Sequence, residues 1–230
     1  KILKSKKLNP VKVKGKAKPI DIREILYYRP PFNYNLAYSK IENYLVNNLP
    51  QNYTYHTIEH IRDVVDQVEK IAKREKIEKE LIADLKLAAW LHDIGYIWEP
   101  NRHEARGVEY ATAILNEMKF PKSKISLISG MIMATKIPQS PKNHFEEIIC
   151  DADLDYLGRE DYDKNSDSLL QEIRINREIT NKEWLQIQES FLLKHHYHTG
   201  SSKKLRNKNK NIILKKIQDK IKSYKNGTSR

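Results

Sequence analysis

The chain has 230 residues and a formal net charge of +12, with 31% charged residues, 39% hydrophobic residues and 7 glycines. That length accommodates one large domain with extensions and leaves too little chain for two full domains; the composition suits long, solvent-facing helices more than turn-rich β structure. The single cysteine, Cys150, excludes an intrachain disulfide and fits a reducing compartment, so the cytoplasm is the expected location.

The positive charge is concentrated at the ends. Residues 1–20 hold eight lysines and no acid, and residues 201–230 hold eleven Lys or Arg against Asp219 alone, leaving 23 basic and 29 acidic residues between them. A mildly acidic body with two basic ends is therefore expected. Nucleic acid is a candidate partner of the tails, although they lack the interleaved aromatics on which single strands stack. No apolar run approaches the ~20 residues needed to span a bilayer, and the Lys-rich start lacks the apolar core of a secretory signal. The chain opens on Lys1 rather than Met, which is consistent with an upstream segment.

Residues 1–31 read as a basic linker or arm, Lys-rich and punctuated by Pro10, Pro19, Pro30 and Pro31, with either one short helix or a packed loop expected around Ile22, Ile25 and Leu26. Helical spacing begins after Asn33, where Leu36, Ile41, Tyr44, Leu45 and Leu49 form a stripe ending at Pro50. From Thr57 to about Lys76, Ile61, Val64, Val65, Val68, Ile71 and Ala72 define a strongly amphipathic helix. The next, from about Glu78, is so apolar through Leu85, Leu87, Ala88, Ala89, Trp90 and Leu91 that it is expected at the centre of the fold, with Gly95 as its terminator. Further helices are expected at about 101–118, 123–135, 143–157, 161–176 and 181–198. The final stretch, about 204–225, reads as a basic amphipathic helix, and strand-like alternation is scarce throughout.

Histidines and aspartates recur where these helices begin or end. His56 and His60 are four residues apart, so both imidazoles reach one side of a helix that starts early enough. His92 and Asp93 place an imidazole beside a carboxylate at the end of the apolar helix. They diverge by about 100° on a helix, so both reach one ion only if it lies close to the backbone. Asp151, Asp153 and Asp155 alternate in a third apolar segment. On a helix Asp151 and Asp155 share a face that Asp153 does not, so only some of the three serve as ligands, and a cation would offset the cost of burying them.

The ordered set His60, His92-Asp93 and Asp151 on successive helices resembles the HD superfamily of metal-dependent phosphohydrolases. Tyr55-His56 followed by His60 is similar to the opening motif of cyclic-nucleotide phosphodiesterases, and Leu87 through Gly95 is similar to the family's central helix. The resemblance implies an all-α, compact multi-helix HD-domain bundle over residues 32–200 with basic extensions at 1–31 and 201–230. It implies one tightly held divalent ion (Mn, Fe, Zn, Co, Ni or Mg) on His60, His92, Asp93 and Asp151. It further implies metal-dependent hydrolysis of a phosphate ester, a nucleotide or a cyclic phosphodiester, with His56 protonating the leaving oxygen and Asp93 or Glu104 orienting the water. His103 occupies a position that binds a second ion in two-metal relatives. Those relatives carry further histidines where this chain has Ala134-Thr135-Lys136, so His103 is expected to face substrate phosphate or to hold a weaker second ion, with Lys136 as a phosphate contact.

His195, His196 and His198 diverge in direction beside Lys203, Lys204 and Arg206, so phosphate capture through His195, or helix capping, suits them better than metal. His144 is expected to pack or cap, and Cys150 to be a small core residue. The alternative from another class is a nucleotide-sensing HD binding module whose basic tails contact nucleic acid.

Overall fold

The computed structural model describes residues 2–7, 10, 23–29 and 32–225. The chain divides into two compact units, Lys1–Tyr34 and Asn35–Arg230. In the first, β1 (Ile2–Lys7) pairs antiparallel with β2 (Arg23–Arg29), Ile2 lying opposite Arg29 and Lys7 opposite Arg23, with an irregularity at Lys4/Ser5. Neither the short helix nor the packed loop is therefore formed: Ile25 and Leu26 lie in β2, and Ile22 falls outside the described residues. The run Ile25-Leu26-Tyr27-Tyr28 is rich in β-branched and aromatic residues, which favour a pleated strand, and no 3.6-residue period competes with it.

The second unit is all-α among its described residues. Its elements are α1 (Tyr34–Asn48), α2 (Ile58–Arg74), α3 (Lys79–Leu91), α4 (His103–Glu117), α5 (Lys122–Ala134), α6 (His144–Asp153), α7 (Tyr162–Arg174), α8 (Asn181–Lys194) and α9 (Gly200–Lys225). Single 3-10 turns follow α3 (Ile94–Ile97), precede α4 (Pro100–Arg102) and follow α6 (Asp155–Gly158). No described helix is long and apolar enough to cross a membrane.

α2 starts at Thr57, whose side chain accepts from the backbone N–H of His60, one of the donors that a helix N-terminus leaves unpaired. The apolar stripe from Ile61 to Ala72 is buried as the spacing requires. α3 packs against α2, α4, α5 and α6, and Leu85, Leu87, Ala88, Ala89 and Leu91 have no exposed surface. α9 lays Ile213, Ile217 and Ile221 into a cluster with Leu157, Tyr162 and Leu192, while Lys203, Lys204, Lys215 and Lys216 remain exposed.

Gly95 has a role other than ending α3. The helix ends at Leu91, and Gly95 lies inside the following 3-10 turn. A Cβ there would sit 1.9 Å from the carbonyl oxygen of His103, so only glycine lets the turn after α3 touch the start of α4. Gly95→Ala is expected to destabilise the fold by roughly 1–3 kcal/mol, the usual scale of overpacking. Chemical denaturation should show this as a lower midpoint at unchanged slope.

Candidate metal centre

α2, α3 and α6 converge where α3 and α6 end. His60 projects from the first turn of α2, His92 caps α3, Asp93 follows it, and Asp153 closes α6. His60 Nε2 lies 3.4 Å from Asp93 Oδ2 and 3.5 Å from Asp153 Oδ1, and His92 Nε2 lies 3.1 and 3.6 Å from the same two oxygens. Ligand atoms of His60, His92 and Asp93 all fall within 4.8 Å of one another. His60 Nε2, His92 Nε2 and Asp93 Oδ2 are buried without a hydrogen-bond partner among the described residues. Such orphaned polar atoms are costly unless something binds them, and an imidazole-carboxylate donor set is one that divalent transition metals take.

The tautomer of His92 is set by its surroundings. Its Nδ1 lies 2.7 Å from the carbonyl oxygen of Ala89, so Nδ1 keeps its proton and Nε2 is the nitrogen that can give up its own to a cation, the arrangement that second-shell partners impose on metal-binding histidines. His103 is held the same way by Pro100 O at 2.8 Å. Its Nε2 lies 3.6 Å from Asp93 Oδ1 and 3.3 Å from Glu104 Oε1. His103 and Glu104 thus border the side of Asp93 away from His60 and His92.

His56 stands just before α2, on a loop that one residue organises. Glu172 of α7 accepts the backbone N–H groups of Thr54, Tyr55 and His56 at 3.1, 2.9 and 3.0 Å on Oε2, and pairs with His56 Nδ1 through Oε1. Burial opposes charge on Glu172, but His56 and these backbone donors hold its pKa below the ordinary carboxylate value. The His56 ring stacks on Tyr96 at 3.9 Å between centroids, and Tyr96 stacks in turn on His103 at 4.2 Å. Sequence reasoning missed both Glu172 and Tyr96, since neither lies in a spaced motif; Glu172 comes from 116 residues downstream.

Three expected site residues lie elsewhere. Asp151 faces the entry to α9, where it accepts the N–H of His198 at 2.7 Å and the N–H and hydroxyl of Thr199 at 2.8 and 2.7 Å. The segment does place Asp151 and Asp153 on different faces, but it is Asp153 that turns to His60 and His92. Lys136 is exposed and borders a separate cavity with Gly130 and Glu146, whereas its neighbours Thr135 and Ile137 line the cavity on the cluster. His195 follows the end of α8 and has its Nε2 buried without a hydrogen-bond partner among the described residues; its Nδ1 is 3.4 Å from Lys210 Nζ. Burial, reinforced by Lys210, lowers its pKa to about 3, which makes it a poor anion receptor. His144 opens α6 and bonds Glu147, and Cys150 is buried with its thiol pKa pushed up by burial.

Residues 57–156 match the HD domain family. The chain carries an HD domain. Among curated proteins the sequence has no match. Solved structures share the fold. A predicted HD superfamily hydrolase from an uncultured Thermotogales bacterium is 22% identical, with a TM-score of 0.53 over 81% of this chain and 92% of its own. Bacillus subtilis YpgQ in complex with ADP is 15% identical, with a TM-score of 0.58 over 83% of this chain and 96% of its own. The Lin1889 protein of Listeria innocua is 18% identical, with a TM-score of 0.59 over 81% and 94%. The HD match contains His60, His92, Asp93 and Asp153 but neither His56 nor Glu172.

The two acids of α6 should separate on mutation. Asp153→Asn is expected to weaken manganese binding at least about tenfold with little loss of stability, whereas Asp151→Ala leaves three donors unpaired and should cost about 2–4 kcal/mol. Calorimetric metal titration and denaturation of both variants check this.

Metal binding is also expected to depend on pH. Burial disfavours charge on His60, yet Asp153 and Asp93 outweigh it and raise its pKa to about 9 in the metal-free protein; the same carboxylates raise His92. A cation must displace those protons, so affinity should rise from pH 6 toward pH 9, with about one to two protons released per ion. Calorimetry in buffers of different ionisation enthalpy measures that number.

Proposed function

We propose that the chain is a metal-dependent phosphohydrolase in which His60, His92, Asp93 and Asp153 hold one divalent cation beside a phosphate ester. The observation that carries the reading is the buried convergence of His60 Nε2, His92 Nε2 and Asp93 Oδ2, none with a hydrogen-bond partner among the described residues. The HD domain and the hydrolase named among its structural neighbours support the same class. When bound, such an ion supplies Lewis acidity, lowering the pKa of a water and offsetting charge on the phosphoryl oxygens.

The side chains around the cluster divide the remaining work. Glu104, bordering the cavity next to Asp93, orients the attacking water. Glu172 fixes the ring of His56 and its Nδ1 proton, leaving Nε2 as the atom from which a proton reaches the departing ester oxygen. Tyr96, stacked between His56 and His103, keeps both imidazoles from rotating. Tyr55 and Tyr156, both buried, close the rear of the cluster against bulk water. A nucleotide as the ester is supported by the ADP held by YpgQ.

The test is hydrolysis by the manganese-loaded chain across phosphate esters, with Asp93→Ala and His56→Ala beside wild type. Asp93→Ala should abolish turnover. His56→Ala should lose about 10²–10⁴-fold on alkyl esters and far less on p-nitrophenyl phosphate, whose leaving group needs no proton. Equal losses on both esters would remove His56 from the acid role, and wild-type inactivity on every ester would overturn the reading.

A further inference from the structure

The cavity that opens on the metal cluster does not end there. It is about 240 Å³ and continues from Asp93, Asp153 and His56 to α7 and α8, downstream of the HD-matching segment. Its far wall is made by Leu169, Ile173, Trp184, Ile187 and Phe191, a flat-sided, largely apolar surface of the kind that receives aromatic rings. Among the described residues no lysine or arginine lines it.

A small polar group of Gln188, Ser166 and Tyr162 interrupts the apolar wall. Gln188 lines the cavity; its Nε2 donates to Tyr162 Oη at 3.0 Å and to Ser166 Oγ, which also accepts Trp184 Nε1 at 3.2 Å. Both partners are hydroxyls, which accept or donate, so the amide engages them through one of its polar atoms and leaves the other to the hydrogen-bonding edge of a ligand.

Resting on the phosphohydrolase reading, we infer that the substrate is a phosphate monoester with a single phosphate on the cluster and a flat ring, bearing a hydrogen-bonding edge, between α7 and α8 against Gln188. A second or third phosphate would need cationic side chains along the cavity, and none lines it. A small aliphatic alcohol would leave the apolar wall unfilled. A pyrimidine nucleoside monophosphate has the required chemistry.

The experiment compares kcat/KM of the manganese-loaded full chain for thymidine 5′-monophosphate, thymidine 5′-triphosphate, 2-naphthyl phosphate and glycerol 3-phosphate. Thymidine monophosphate is expected to exceed the triphosphate and glycerol phosphate at least about tenfold. Gln188→Leu should cost about tenfold on thymidine monophosphate and leave 2-naphthyl phosphate unchanged. Leu169→Phe, which narrows the cavity without removing a polar group, should raise KM for both ring esters and spare glycerol phosphate. Equal rates with and without the ring, preference for the triphosphate, or indifference to both substitutions overturns the inference while leaving the hydrolase reading intact. If no ester turns over, calorimetric titration with thymidine monophosphate decides separately: binding weakened tenfold in Gln188→Leu supports the ring site, and no binding rejects it.

Discussion

Two imidazole nitrogens each lie 3.1–3.6 Å from two carboxylate oxygens in the interior, where mutual hydrogen bonding is incomplete. Burial alone would discharge these groups. Instead it is outweighed by their opposite charges, which keep His60 and His92 protonated and hold Asp93 well below the usual carboxylate range in the metal-free state. Much of the surrounding architecture makes that convergence possible. The Thr57 cap sets where α2 begins and so where His60 points, the Ala89 carbonyl sets the His92 ring, and Gly95 lets α4 approach closely enough for His103 and Glu104 to border the same aspartate.

A division of labour follows from where the HD match stops. The cluster lies within residues 57–156, whereas His56, Glu172, Trp184 and Gln188 lie outside. Glu172 is a single carboxylate with four bonds to the His56 loop, so α7 sets the position of a residue at the mouth of α2. The same helix, with α8, builds the apolar wall of the cavity. The cluster thus lies inside the domain match and the cavity wall outside it, and the wall is where proteins that share the fold at 14–22% identity have room to differ.

The helical body was legible because its apolar residues recur at three-and-four spacing over long segments; the stripe of α2 and the apolar density of α3 needed no tertiary information. His60, His92 and Asp93 were legible because they recur in order at the ends of successive helices, a coincidence that a lone His-Asp pair does not supply. The choice among Asp151, Asp153 and Asp155 was not. Spacing shows that Asp151 and Asp153 diverge, but which of them turns inward depends on how α6 is rotated against α2 and α3, a tertiary quantity. Lys136 and His195 failed for the same reason, each lying just past a helix end where direction is set by the next loop. The β1–β2 pair was not legible because its strands are short, β1 is Lys-rich, and 15 residues separate them.

The three aspartates of this segment do different work, and together they tie the C-terminal helix to the metal cluster. Asp151 binds the backbone entering α9, and Asp155 takes Arg206 of α9 in a two-pronged ion pair at 2.8 and 2.7 Å, geometry that restricts rotation as well as separation. Asp153 lies between them in sequence and points into the cluster. A Cβ on Gly158 would meet the Arg206 backbone oxygen at 2.7 Å, so the turn after α6 is pressed directly against α9. Although α9 is rich in lysine and begins about 50 residues after Asp153, it is anchored on both sides of that aspartate. The position of the fourth cluster residue therefore depends on the C-terminal helix as well as on α2 and α3, and displacing α9 would loosen the cluster without touching a single histidine.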